Sequence, residues 1–192
     1  MPAGRGPTSQ PTRDRLLRAA AELIAEVGWG RVTTRAVAAR AGLPHGTVSY
    51  HFRGKQELLV EAAVHTFEEA FPIAALQTLT SFMDVLELWL DDTQEADSVV
   101  SAVGMEAMLE SERDPVLRER IAALLRDYRD ALREVLRADP PRGAAAAGIE
   151  PDALATLIAA VGDGLFLHAR LDPELDARPA LAALTALLRS SG

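Results

Sequence analysis

The chain has 192 residues, 48% hydrophobic but only 5% aromatic, and carries a net charge of −8; a chain of this length, dominated by Ala, Leu, Arg and Glu, buries a proper core and is expected to be all-α. The absence of cysteine excludes disulfides, thiolate metal sites and thiol catalysis, and no apolar run approaches the roughly 20 residues of a membrane span, so a cytoplasmic protein with no membrane partner is expected. The charge divides at Glu57: nine basic against four acidic residues up to that point, a net of +5, then 11 against 24, a net of −13.

Residues 1–11 read as a disordered polar leader without the hydrophobic stretch of a signal peptide. Thr12 is placed to cap a first helix over 12–28, whose Leu16, Leu17, Ala20, Leu23, Ile24 and Val27 follow the 3.6-residue period, with Gly28 as its stop. Trp29 and Val32 plug the core in the link that follows. Thr33 or Thr34 caps a short second helix with Val37, Ala38 and Ala41 inward, and Gly42 ends it. Leu43 and Pro44 turn the chain into a third short helix, 45–51, with Val48 and Phe52 inward. Two short helices across a turn containing glycine form a helix-turn-helix signature. A longer helix, 55–70, carries Leu58, Leu59, Ala62, Ala63 and Phe67 on one stripe and stops at Pro72. Further helices are expected at 75–91, 94–111, 115–138, 152–171 and 177–190, about nine in all. The Pro, Gly and Ala-rich stretch 140–148 is expected to be a mobile surface loop. The division predicted is a head over 12–57 and a helical body over 58–192.

A basic head gains affinity for phosphates by releasing counterions, and an acidic body is repelled from them; solvated arginines clustered by chance have the same composition, so charge alone does not choose. The segment TRAVAARAGLPHGTVSYHF, residues 34–52, with Arg53 to Leu59 after it, resembles the DNA-binding head of the tetracycline-repressor (TetR) family. The stretch DGLFLHARLDPE, residues 163–174, is similar to the penultimate helix of many members, a choline-responsive branch among them, without fixing a ligand. The resemblance implies a repressor that holds double-stranded operator DNA and is released by a small-molecule inducer. By the same resemblance Thr34, Arg35, Thr47, Tyr50, His51 and Lys55 touch phosphates, and Pro44, His45, Gly46 and Ser49 face base edges, a division that suits small polar side chains on bases and longer ones on the backbone. The alternative for Tyr50 and His51 is that they cover the junction with the first helix.

In the body, the resemblance implies a pocket whose large candidates are Phe67, Phe71, Phe82, Met83, Leu86, Trp89, Met105, Met108, Leu125 and Tyr128, with His168 as a polar contact. Taken singly, each reads more readily as core at helical spacing, and only the set suggests a pocket. The leucine-rich helices 152–171 and 177–190, with Leu154, Leu157, Ile158, Val161, Leu165, Leu181, Leu184, Leu187 and Leu188, exceed one packing face and are expected to form a homodimer seam. An enzyme needs a nucleophile, a metal site or a paired acid and base. The four histidines, at 45, 51, 65 and 168, show no metal spacing, and no cofactor is expected. A DNA-binding regulator answering to a protein partner, or an activator, stays open as the alternative.

Overall fold

The computed structural model describes residues 9–70, 73–87, 98–172 and 174–189; among them helix dominates and no strand occurs, as composition predicts. The chain divides into two compact units, one of residues 1–70 and 97–122, the other of 71–96 and 123–192.

The first unit opens with α1 (Ser9–Val27). It starts three residues before Thr12, because Pro11 sits in the first turn, where its missing N–H costs nothing. A 3-10 turn (Trp29–Arg31) links α1 to α2 (Thr34–Arg40), and α3 (Gly46–His51), α4 (Lys55–Ala70) and, after residues 71–96 of the other unit, α7 (Ser98–Ser111) follow. Thr33 is the residue that caps α2: its Oγ1 accepts from the Ala36 N–H at 3.2 Å. Gly42 ends α2 at φ +63°, with its own N–H donating to Ala39 O at 3.0 Å and the Leu43 N–H reaching Ala38 O at 2.9 Å. That pair of bonds needs a residue in the left-handed region, which glycine enters without strain. The predicted periodicity holds: Leu16, Leu17, Ala20 and Ile24 of α1 pack with Val37, Val48, Phe52, Leu58, Leu59 and Ala62 in one buried cluster, with Trp29 and Val32 plugging it. Val103 and Ala107 of α7 and Leu117 join the same core. Asp114 starts the next helix, α8 (Pro115–Ala138), its Oδ1 accepting from the Val116 and Leu117 N–H groups at 2.8 and 3.1 Å.

The second unit contains α5 (Ile73–Leu76), a helical stretch over 82–87 (α6), the later part of α8, then α9 (Arg142–Ala146), α10 (Pro151–Leu171) and α11 (Arg178–Arg189). Leu76, Phe82, Leu86, Tyr128, Leu132, Leu136, Leu154, Ile158, Leu181 and Leu188 form its core. The single helix expected at 75–91 is interrupted. Ser81 and Asp84 form a capping box that begins a new helix at 82: the Asp84 N–H donates to Ser81 Oγ at 3.2 Å and the Ser81 N–H to Asp84 Oδ2 at 3.1 Å. The expected loop at 140–148 is likewise partly helical, because its alanines are strong helix formers and Ala144 is buried against the core. The expectation that no apolar run reaches membrane-spanning length needs correction too: α10, at 21 residues and a mean hydropathy of 1.4, is long and apolar enough by length and composition to cross a membrane. It carries Asp163 near its centre, where a charge costs about 2.5–3.5 kcal/mol in a bilayer, and packs Leu154, Ala155, Ile158 and Ala159 into the unit's core. Only 22% of its apolar window is buried within the chain.

Candidate nucleic-acid interface and effector residues

The head presents one polar face. With Val48 and Phe52 turned inward at 1% and 3% exposure, α3 leaves Ser49 and Tyr50 in solvent, and Pro44, His45 and Gly46 lead into it equally exposed. Arg35 on α2 is exposed, whereas Thr34, Thr47, His51 and Lys55 are half-buried. Tyr50 is 79% exposed and so is no cover for α1; the His51 ring stands edge-on to it at 5.0 Å.

What keeps this face in place is a set of ties that local sequence patterns do not announce. Arg40 of α2 donates from both guanidinium arms to Glu26 of α1 at 2.8 and 2.7 Å, and to Glu22 at 3.0 Å; the hydrogen bond from Arg40 holds the Glu26 carboxyl below its ordinary range. Arg15 of α1 donates to the Ala41 carbonyl at the end of α2. Glu61 of α4 is gripped by Arg13 and Arg120, each at 2.7 Å. Burial raises the Glu61 carboxyl, yet the two arginines outweigh it and leave the group below its ordinary value. Lys55 Nζ donates to the Gly30 carbonyl at 2.7 Å. Among the described residues Arg35 and Arg53 are exposed and enter no ion pair.

The effector candidates fare differently. In the first unit Phe67 packs on the core, its ring 3.8 Å from where a Cβ on Gly104 would stand, while Met105 and Met108 are 45% and 72% exposed. Within the second unit Phe82, Leu86 and Tyr128 meet in the core, Leu125 is half-buried, and Met83 and His168 are exposed. Phe71 and Trp89 lie outside the described residues, as does the leader up to residue 8. A groove of about 510 Å³ in the second unit is lined by residues sequence reasoning passed over, Ile73, Leu76, Leu79 and Val135 with Asp127, Asp130, Arg133 and Glu134 among them. Of the aliphatic residues assigned to the seam, Leu154, Ile158, Leu181 and Leu188 are committed to the chain's own core, whereas Leu157 and Leu187 stand 53% and 74% exposed.

Comparison with known proteins bears on both halves. Residues 16–62 match the bacterial regulatory proteins of the tetR family, and residues 80–191 match the BetI-type transcriptional repressor C-terminal family. The chain is 32% identical over 114 residues to the HTH-type transcriptional regulator CymR of Pseudomonas putida, a match spanning 57% of this chain and 56% of that protein. The chain thus spans about half the length of that curated relative. Among solved structures, the transcriptional regulator SCO7518 of Streptomyces coelicolor A3(2) superposes with a TM-score of 0.71 at 26% identity, covering 93% of this chain and 98% of its own. A regulator from Saccharomonospora viridis, in complex with choline, shares the fold with a TM-score of 0.69 at 22% identity, covering 92% and 94%.

Proposed function

We infer the function from the family: the chain belongs to the tetR family of bacterial regulatory proteins. Its role is that of a transcriptional repressor, in which the head over 12–57 binds a palindromic operator and the body over 58–192 dimerises and takes up a small, partly apolar inducer. The observation that carries this reading is the exposed face of α3: Ser49 and Tyr50 in solvent and Val48 and Phe52 in the core, with the exposed, unpaired Arg35 on α2 and Arg53 just past α3. Base edges in the major groove are read by such short polar groups, while cations fix the backbone register. Pairing through α10 and α11 is supported by the exposure of Leu157 and Leu187 and by the open space around Gly164, where a Cβ would meet nothing within 4 Å. A two-fold pair of heads then addresses successive major grooves, about 34–36 Å apart. An inducer is supported more generally, by a regulator of the same fold in complex with choline.

Selection of duplexes from a randomised library by the purified chain tests the reading. Enrichment of a palindromic site, bound with an affinity that falls steeply as salt rises, is the expected result. Failure to enrich any sequence, or equal affinity for enriched and random duplexes, refutes operator recognition. Native mass spectrometry of the purified protein then asks for a dimer and for any co-purified small molecule.

A further inference from the structure

We propose, building on that operator-binding reading, that Glu106 is a positioning residue for DNA binding, acting through the Trp29–Arg31 turn on Lys55. Glu106 lies within α7, and its Oε2 accepts from the Trp29 N–H at 2.8 Å across 77 residues of sequence. The 3-10 turn has no cap of its own, because the residue before it is Gly28, at φ +80° and without a side chain to offer. Glu106 fills that role from another helix. The approach is close: a Cβ on Gly28 would stand 3.4 Å from Glu106 Oε1, so glycine at this position serves both the backbone conformation and the access of the carboxylate.

The same turn holds Lys55. Its Gly30 carbonyl accepts from Lys55 Nζ at 2.7 Å, and Lys55 is the first residue of α4, three positions beyond the buried Phe52 that ends α3. An ammonium has three donors, so one bond to Gly30 leaves two for a phosphate. That bond also restricts a side chain that would otherwise lose much rotamer freedom on meeting DNA. Two hydrogen bonds and one short turn therefore connect a carboxylate on α7 to a cation on the DNA-facing side of the head. A second tie runs beside the first: Gln56 Nε2 donates to Asp114 Oδ2 at 2.8 Å, just beyond the end of α7. The hydrogen bond from Gln56, with those from the Leu117 and Val116 N–H groups, keeps the Asp114 carboxyl below its ordinary range. A displacement of α7 is thus transmitted to adjacent residues at the start of α4 by two routes.

The salt dependence of DNA binding separates this role from a merely structural one. Binding to a duplex enriched by the wild-type chain is measured between about 50 and 200 mM salt for wild type, Glu106→Ala, Glu106→Gln and Lys55→Ala, with the thermal midpoint of each. Each phosphate contact contributes about −0.9 to the log–log slope. Glu106→Ala is expected to lose about tenfold in affinity and to flatten the slope toward that of Lys55→Ala. Glu106→Gln, whose amide oxygen still accepts from Trp29, keeps the wild-type slope. Should Glu106→Ala fail to fold, Glu106→Asp, one methylene short of Trp29, carries the same expectation. A wild-type slope in the folded Ala or Asp variant, with Lys55→Ala flattened, overturns the relay while leaving operator binding intact. A chain that enriches no duplex overturns the operator reading, and the relay with it.

Discussion

Glu61 is the residue through which α1, α4 and the beginning of α8 are joined by charge, and its removal should be felt in a predictable amount and at a predictable pH. Its two oxygens are shared between Arg13 and Arg120, each at 2.7 Å, with the Arg13, Glu61 and Arg120 side chains 23%, 24% and 41% exposed. A hydrogen bond to a charged group contributes about 1.5–3 kcal/mol when desolvated, and an exposed ion pair about 0.2–1 kcal/mol. The Arg13 contact falls at the lower end of the first range and the Arg120 contact within the second. Glu61→Ala should therefore cost about 2 kcal/mol at neutral pH, since it leaves two partly buried guanidiniums without their acceptor. The carboxyl lies below its ordinary value of 4.5 in the folded chain. A depressed carboxyl contributes stability that is fully present above the unfolded value and is lost as pH falls through the folded one. The difference between wild type and Glu61→Ala should be constant from neutral pH down to about pH 5.5 and shrink progressively below the ordinary value. Urea unfolding followed by the fluorescence of Trp29, buried in the same core, in a Trp89→Phe background reports on this unit. A cost under about 0.5 kcal/mol, the level of an exposed pair, or a difference unchanged into strong acid, would refute the assignment of a binding role to the three-residue cluster.

Two further substitutions follow from the second unit. Leu157→Glu with Leu187→Glu places charges on leucines that the protomer leaves exposed; sedimentation should show monomers with an unchanged far-UV spectrum, and a persistent dimer would place the seam elsewhere. Leu86→Ala, at a site 3% exposed in the core, should lower unfolding stability by about 2–5 kcal/mol; a near-neutral effect in thermal unfolding would show that this side chain lines open space and does not fill the core.

The head was largely legible because its information is local. The 3.6-residue spacing of Leu16, Leu17, Ala20 and Ile24, the cap at Thr33 and the turn at Gly42 each act over a few residues, so pattern and structure coincide. Breaks in the body were harder to see, since Ser81 and Asp84 restart a helix inside a stretch whose apolar spacing continues. Size and spacing nominated Met105 and Met108 for a pocket, but spacing alone does not fix how far such side chains are exposed, and here they stand at 45% and 72%. The ties through Glu61 and Glu106 span 48 to 77 residues, and nothing in the flanking residues marks either carboxylate as different from the many solvated ones. Only the packing of α1, α4, α7 and the start of α8 brings their partners within reach.

The central claim, that α3 reads sequence while the start of α4 holds the backbone, is tested most directly by comparing the sites enriched by variants of one face. Libraries are selected in parallel with wild type, Ser49→Ala, His45→Ala and Lys55→Ala. Ser49 and His45 are exposed at and just before α3, so their removal should change the preferred base at defined positions by about 1–3 kcal/mol of discrimination. Lys55→Ala should weaken all sequences alike and leave the preferred site unchanged. Identical preferences in all four selections, or an altered preference confined to Lys55→Ala, would contradict it.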